Sequence, residues 1–596
     1  MSTARAPRPH TFRGLALARR AWPQIERAAP GIALLRHYPR KWLRRDLVAG
    51  LVLSTLLVPQ GMAYAQLAGL PPVTGLYTTI ACLVGYALTG PSRILVLGPD
   101  SAVSPMILAA ITPLLGATKD SATAIALAGM LAVLVGLIEI GLGVAKLGFV
   151  ADLLSKEVKV GYMNGLAVVI IVGQLPKLCG FSTDASGFVN ELRAFFSSLD
   201  ETVPATLVVG LSCLLLLWGL PYIARAVPAI LVVIAGATVV SAVLDLSSHG
   251  VATVGALPQG LPRPTVPWTS LGDVGPLFAA AVGITLVSLT DTIATSASFA
   301  ARHRETVSPD REMIGVGISN VAAGFFRGFA ISSSASRTAV AEKSKAKSQL
   351  TGLVGAGAVV VLLLFFNSLL AALPDTALAA VVIVAAVSLV DLNALVRYWH
   401  VRRSAVLISL SASLGVILLG VLPGILFAIA LSILLFFRSN WWPHGEVLGR
   451  RHDGDWHALD DDHDTEQQSG VVVFRWEAPL FFANSGIFAR QIWSLVQQQE
   501  PRWIVLQCQA ITDIDVTAAD MLGQLDDELN ARGIHIAFVE LRTRLHRQVG
   551  RYGLLGRSLD REHFYASVDQ ALAHISSAPA ATPGLGSSAR GEARPS

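Results

Sequence analysis

The chain has 596 residues, 53% hydrophobic and 15% charged, with a mean hydropathy of +0.57. That excludes a water-soluble globular chain, which has no use for so much apolar residue at this length, and leaves a polytopic α-helical membrane protein. The formal charge of +5 decides little by its value and more by its distribution.

Residues 1–46 are crowded with Arg5, Arg8, Arg13, Arg19, Arg20, Arg27, Arg36, Arg40, Lys41, Arg44 and Arg45, against Glu26 and Asp46. A basic arm can meet nucleic acid. Ahead of an apolar chain, the positive-inside rule reads it as a cytoplasmic N-terminus with no nucleic-acid partner. No signal peptide is expected, because the apolar run starts late and lacks a small-residue cleavage site.

Hydrophobic segments fall near 48–67, 72–89, 99–115, 121–145, 158–176, 204–222, 228–245, 275–297, 311–328, 336–348, 351–372, 376–392, 404–420 and 422–438. These about 14 segments, some too short to span alone, give a transmembrane domain over 47–440. An even number returns the chain to its starting side. A multi-pass protein of the inner (plasma) membrane with both termini cytoplasmic is expected. Basic Arg397, Arg402, Arg403 and Arg438 fit that side or its edge. The polar loop from Phe181 to Glu201, tinted by Phe188, Leu192, Phe195 and Phe196, is expected at an interface.

Residues 441–469 read as a charged linker, whose His and Asp residues are more simply solvated than metal-bound. Strand and helix patterns then alternate over 470–575, the sign of a small α/β domain. The tail, 576–596, is expected to be disordered. Cys82, Cys179, Cys213 and Cys508 are scattered singly, and no disulfide or metal site is expected from them. The histidines show no metal-ligand spacing, and neither a Walker loop nor a GxSxG elbow occurs. No cofactor and no enzymatic reaction are expected.

Chemistry concentrates in three places. GPDSAVSPMI (98–107) opens the third segment and ISSSASRTAVAEKS (331–344) opens the tenth, the third of the second half. Short Gly/Pro/Ser-marked segments at matching places in two halves of seven are the mark of an inverted-repeat carrier. In the second of them Ser332, Ser333, Ser334 and Ser336 precede or flank Arg337. Serines suit a helix N-cap, and the N-terminus adds free N–H groups and partial positive charge, a place for an anion. Arg337 could instead snorkel or pair with a carboxylate. In the first, Asp100 beside Ser101 either caps its half-helix or faces the site, where ionised it would repel an anion. On the eighth segment Ser288, Asp291, Thr295 and Ser298 share one helical face. Asp291 could carry a proton, ligate Na+ with Thr295, or pair with Arg337 in a packed polar stripe. Glu139 reads as an edge or packing residue.

The stretch LVPQGMAYAQLAGLPPVTGLY, Leu57 to Tyr77, has Pro59-Gln60-Gly61 within a membrane segment and Pro71-Pro72 at its end. With GYALTGPSRILVLGPDSAVS, GYMNGLAVVIIVGQLPKLCGF and SASRTAV…KSQLTG, it closely resembles the sulfate permease (SulP) family of anion transporters. The likeness covers most of 35–575, and the C-terminal part resembles a sulfate transporter and anti-sigma factor antagonist (STAS) domain. The resemblance implies a 7+7 inverted repeat with core and gate domains, a homodimer, and substrate held between the third and tenth half-helices near the first and eighth helices. Pro59-Gln60-Gly61 would then kink the first helix beside the site, with Gln60 and Tyr64 lining it one turn apart. Pro71-Pro72 would end that segment and turn the chain into the next.

Carried over by position, the resemblance makes Ser336 and Arg337 anion-contacting and Asp291 the acid linked to proton coupling, with Na+ used on this helix by some relatives. Asp100 departs from the apolar or small residue common after Gly-Pro there. In TDIDVTAADML, Asp515 keeps the Asp of a regulatory Asp-Ser-Ser-Gly turn and Thr517 holds the phosphorylated position. Thr517 could accept phosphate, although capping of the helix that follows is the simpler role. The expected function is secondary transport of an inorganic anion, sulfate first, by alternating access with H+ symport. The alternatives are a bicarbonate or C4-dicarboxylate carrier, Na+-coupled or not, an uncoupled exchanger or channel, and a membrane-anchored STAS signalling protein.

Overall fold

A computed structural model describes residues 30–577 apart from 37, 117–119, 184, 186, 224–227, 259, 453, 460–464, 557–558 and 560. Most of the basic arm, and the tail from 578, lie outside the described residues. The chain separates into two units, Met1–Ile433 and Leu434–Ser596.

The first unit is built of helices. Its first half holds α1 (Leu43–Leu67), α2 (Pro72–Thr89), α3 (Ser104–Ile111), α4 (Ser121–Val144), α5 (Lys156–Cys179), α6 (Pro204–Ile223) and α7 (Ala229–Val243). The second half holds α8 (Leu271–His303), α9 (Pro309–Phe325), α10 (Ala335–Lys343), α11 (Leu350–Phe365), α12 (Asp375–Leu389), α13 (Arg403–Leu419) and α14 (Val421–Trp441), the last continuing into the second unit. Two-residue strands β1 (Leu97–Gly98) and β2 (Ser332–Ser333) precede α3 and α10. With eight and nine residues, α3 and α10 fall far short of the roughly 20 that cross a bilayer core.

Packing reveals the repeat. α1 packs on α11 as α8 packs on α4, and α5 packs on α13 as α12 packs on α6. Each partner is exchanged for the helix seven places away, as an inverted repeat requires. One group gathers α1, α2, α4, α8, α9 and α11, and another gathers α5, α6, α12 and α13.

The prolines act at two levels. Pro72 opens α2 at its first position, with extended Pro71 before it, the place where a missing N–H costs nothing. Pro59 lies inside α1, and the helix runs through it unbroken. The expected interruption is thus a missing backbone donor within a continuous helix. Beside it, Gly61 and Gly75 let α1 and α2 touch, since a Cβ on Gly75 would collide with the Gly61 carbonyl. The start of α1 also separates Asp46 from the charges of the N-terminal arm with which the sequence groups it. Asp46 is fully buried and accepts from the Lys347 amide (2.6 Å), Ser348 (2.7 Å), Tyr38 (2.9 Å) and Thr351 (3.2 Å). The Phe181–Glu201 loop contains a helix, Phe188–Ser197, with no buried residue.

The second unit is a seven-stranded sheet. β6 (Val471–Trp476), β7 (Trp503–Gln507), β8 (His535–Val539) and β9 (Phe564–Tyr565) run parallel. β3 (Gly445–Arg451) adds antiparallel to β6 and pairs in turn with β4 (Trp456–Ala458) and β5 (Thr465–Glu466). The stretch read as a solvated linker therefore supplies three strands. Its charges hide inward positions, among them Leu448, which is 1% exposed. Helices α15 (Ser485–Gln499), α16 (Val516–Asn530) and α17 (Thr543–Arg551) cover one face of the sheet, and α18 (Val568–Ser577) covers the other. Trp476 meets Phe488 edge to face, with ring centroids 5.3 Å apart, at the centre of the larger core. Cys508 is buried in the same core, and that burial pushes its thiol pKa up.

Candidate functional site

A cavity of about 550 Å3 lies where α3 and α10 begin. Sequence order explains the meeting. β1 and β2 pair antiparallel, Leu97 opposite Ser333 and Gly98 opposite Ser332, so the helices that follow start side by side. The Ser334 amide donates to the Val96 carbonyl (3.0 Å), and the Val96 amide donates to Thr338 Oγ1 (3.1 Å). Asp100, Ser101 and Ala102 line the cavity from the α3 side, and Ser333, Ser334, Ala335 and Ser336 from the α10 side. Both helix starts lend it partial positive charge.

The rest of the wall comes from both groups of helices. α1 contributes Gln60 and Tyr64, and α8 contributes Asp291 and Thr295. Lys159 and Met163 come from α5, Leu217 from α6, Ile230 from α7, and Val381, Val384, Ala385, Ser388 and Leu389 from α12. Of the candidate binding and coupling residues, Gln60, Tyr64, Asp100, Ser101, Asp291, Thr295 and Ser336 all line this one cavity.

Arg337 does not. It is fully buried behind the strand pair and donates from Nη2 to the Pro99 carbonyl (2.6 Å). Its Nε and Nη1 meet no protein acceptor. Gly98 makes its space, for a Cβ there would stand 2.6 Å from Nη1. The expected direct anion contact by Arg337 is thus replaced by a cation set behind the α10 start. Its position follows from the helix. Ser334 is the N-cap and accepts from the Arg337 amide (3.4 Å), with Ser336 Oγ 3.1 Å from Ser334 Oγ. That leaves Ser336 at the cavity and turns Arg337 inward.

Asp100 does cap locally. Its carboxylate accepts from the Ala102 amide (2.9 Å), and its carbonyl accepts from Ser104 Oγ (2.8 Å). It also faces the cavity. Asp291 is paired, but with Lys159 (2.5 Å) and not with Arg337. The polar face of α8 divides along its length. Ser288 donates to Glu139 (3.0 Å), Asp291 and Thr295 reach the cavity, and Ser298 is exposed.

Sequence reasoning passed over Lys159, Thr292 and the partners of Glu139. Glu139 is fully buried and accepts from Ser288 and Asn320 (2.8 Å), while the Asn320 carbonyl oxygen accepts from the Ile331 amide (2.8 Å). It braces the strand leading into α10, the packing role of the two read from the sequence and not the edge one. Thr292 accepts from the Ser333 amide (3.3 Å). The signal for Lys159 was that it is one of two lysines, with Lys156, in the opening turn of an apolar helix, where the helix dipole disfavours a cation. A separate basic recess of about 470 Å3, lined by Lys41, Arg45, Arg93 and Lys347 among others, has no half-helix start on its wall.

In the second unit, Thr517 is exposed in the first turn of α16. It is not the cap. Asp515 is, accepting from the Ala518 amide (2.8 Å) and also from the Phe482 amide (2.8 Å). Asp515 sits one residue before the helix and reaches its free amides, whereas Thr517 already lies within it.

Opposed half-helices over a shared cavity in a seven-plus-seven repeat are the architecture of a membrane transporter. The chain belongs to the sulfate permease family, whose family model matches residues 43–412, and a STAS domain model matches 462–571. It is 40% identical over 547 residues to a Mycobacterium tuberculosis protein named "Probable sulfate transporter", covering 91% of this chain and 97% of that one. An Arabidopsis thaliana protein named "Sulfate transporter 3.1" is 28% identical, over 90% of this chain and 85% of the other. Among solved structures, SLC26A9 shares the fold at a TM-score of 0.86, with 22% identity over 97% of each chain. The transmembrane domain of the cyanobacterial bicarbonate transporter BicA does so at 0.58, with 23% identity over 66% of this chain and 98% of its own.

Proposed function

We propose that the protein is a secondary carrier of a small inorganic anion, sulfate first, working by alternating access with H+ symport. One observation carries the reading. Two half-helix starts, one backed by buried Arg337, meet at a cavity whose wall also holds a carboxylate, Asp291. The amides and hydroxyls suit an anion, and the carboxylate suits a coupling ion. The name of the 40% identical relative favours sulfate as substrate. In this reading the protein is a multi-pass homodimer of the plasma membrane, the inner membrane of a two-membrane cell, with both termini cytoplasmic. Thr517, exposed in the first turn of α16, is the candidate regulatory phosphosite.

The test is uptake of labelled sulfate into proteoliposomes under an inward H+ gradient at constant Na+. Concentrative uptake that collapses with a protonophore supports the reading. Absence of sulfate uptake sinks the substrate, and bicarbonate and C4-dicarboxylates are then assayed under Na+ and H+ gradients. Na+ coupling has one observation of its own, Thr295 one turn from Asp291 on the same cavity wall.

A further inference from the structure

The cavity poses a charge problem. Two carboxylates, Asp100 and Asp291, line it, and Lys159 is its single Lys, Arg or His among the described residues. With all three ionised the wall carries net negative charge, which repels an anion. Arg337 lies behind the strand pair and cannot reach the cavity as placed. A direct cationic partner would offset the acids on the wall, adding to the about half an elementary charge that each helix start supplies.

We propose that Lys159 is the anion's direct cationic ligand, and that Asp291 is the counter-ion holding it until an anion arrives. The inference rests on the carrier reading and names a ligand for that same site. Three observations support it. The ammonium is 2.5 Å from Asp291 and the lysine side chain retains 27% exposure, so it is both held and reachable. It stands in the opening turn of α5, where its charge opposes the helix dipole, so helix stability does not explain it. It also projects from one group of helices towards an acid on the other, across the space the substrate must occupy. The flexible lysine stem lets the ammonium swing from carboxylate to substrate without moving either helix.

Substrate and Asp291 then compete for one ammonium. Groups facing the pair are Asp100 from the α3 start and Tyr64 from α1 on the cavity wall. Arg337 and Glu139 stand behind the wall, each held by its own neutral partners.

The experiment is sulfate–sulfate exchange in proteoliposomes, which needs no ion gradient, with each variant checked for wild-type thermal stability in detergent. Lys159→Met and Lys159→Gln should raise the KM for exchange tenfold or more, and Lys159→Arg should raise it less. Asp291→Asn should lower the KM, because the ammonium is released. The deciding variant is Lys159→Met with Asp291→Asn. If Lys159 binds the anion, the double variant keeps the raised KM. If the pair only ties helices together, removing both charges restores the wild-type KM, and the inference fails. A wild-type KM in Lys159→Met overturns it as well, leaving the carrier reading intact. Wild-type protein that exchanges neither sulfate, bicarbonate nor a C4-dicarboxylate sinks both.

Discussion

α3 and α10 reach the cavity by the same route and bring opposite chemistry to it. Each follows a two-residue strand, each is too short to span, and each belongs to the third position of its repeat. The α3 start presents a carboxylate, Asp100, folded onto its own backbone. The α10 start presents serine hydroxyls and keeps a guanidinium behind them. The inverted repeat duplicated a backbone, and the two copies differ in their side chains. In the carrier reading proposed above, an anion is drawn towards the α10 side, while acids on α3 and α8 are left to set the charge balance.

That asymmetry can be broken in steps. The largest effect is expected from Asp291→Asn, which removes the titratable charge that α8 brings to the cavity. Accumulation against a gradient should disappear while exchange continues, read as the plateau ratio of inside to outside label. Unchanged accumulation would refute its coupling role. Arg337→Ala strips the α10 side of its cation and should weaken substrate affinity severalfold, the effect of a charge that acts through the helix start and not by contact. Gly98→Ala sharpens the same point without touching the charge. Its Cβ displaces the guanidinium, so a partial Arg337→Ala phenotype is expected, and a wild-type KM would show that Arg337 need not sit where it does. Asp100→Asn makes the two starts alike in charge and should lower the KM severalfold. A rise in KM would mean that Asp100 helps to hold substrate. The smallest effect is expected from Ser334→Ala, which removes the α10 cap at a cost of about 1 kcal/mol in thermal unfolding.

Much of this was legible before any coordinates. In lipid every backbone group must be satisfied within its own segment, so apolar runs announce helices and mark their ends well. The half-helices announced themselves by Gly, Pro and Ser at matching places in the two halves. Partners were not legible. Asp291 was matched from the sequence with Arg337 alone, and only the packing of α5 against the cavity brings Lys159 to it. Sharing a helical face also proved a weak guide for Ser288 and Ser298, because α8 passes α4 at one level, the cavity at the next and an exposed surface beyond. In the second unit the acidic, His-rich composition of 441–469 concealed strands whose apolar alternation is only a few residues long. The Thr517 capping role failed by two positions, since Asp515 was present to do it.

The strand pair has a kinetic consequence. Main-chain bonds tie the approaches to both half-helices together, so the two halves of the binding surface cannot be drawn apart without breaking them. In the proposed carrier, whichever face of the bilayer the cavity opens to, these two starts present the anion with the same amides and hydroxyls. A difference in half-saturation between the inside and the outside of a sealed vesicle would then report on Lys159 and the balance between the two orientations, not on the strand pair.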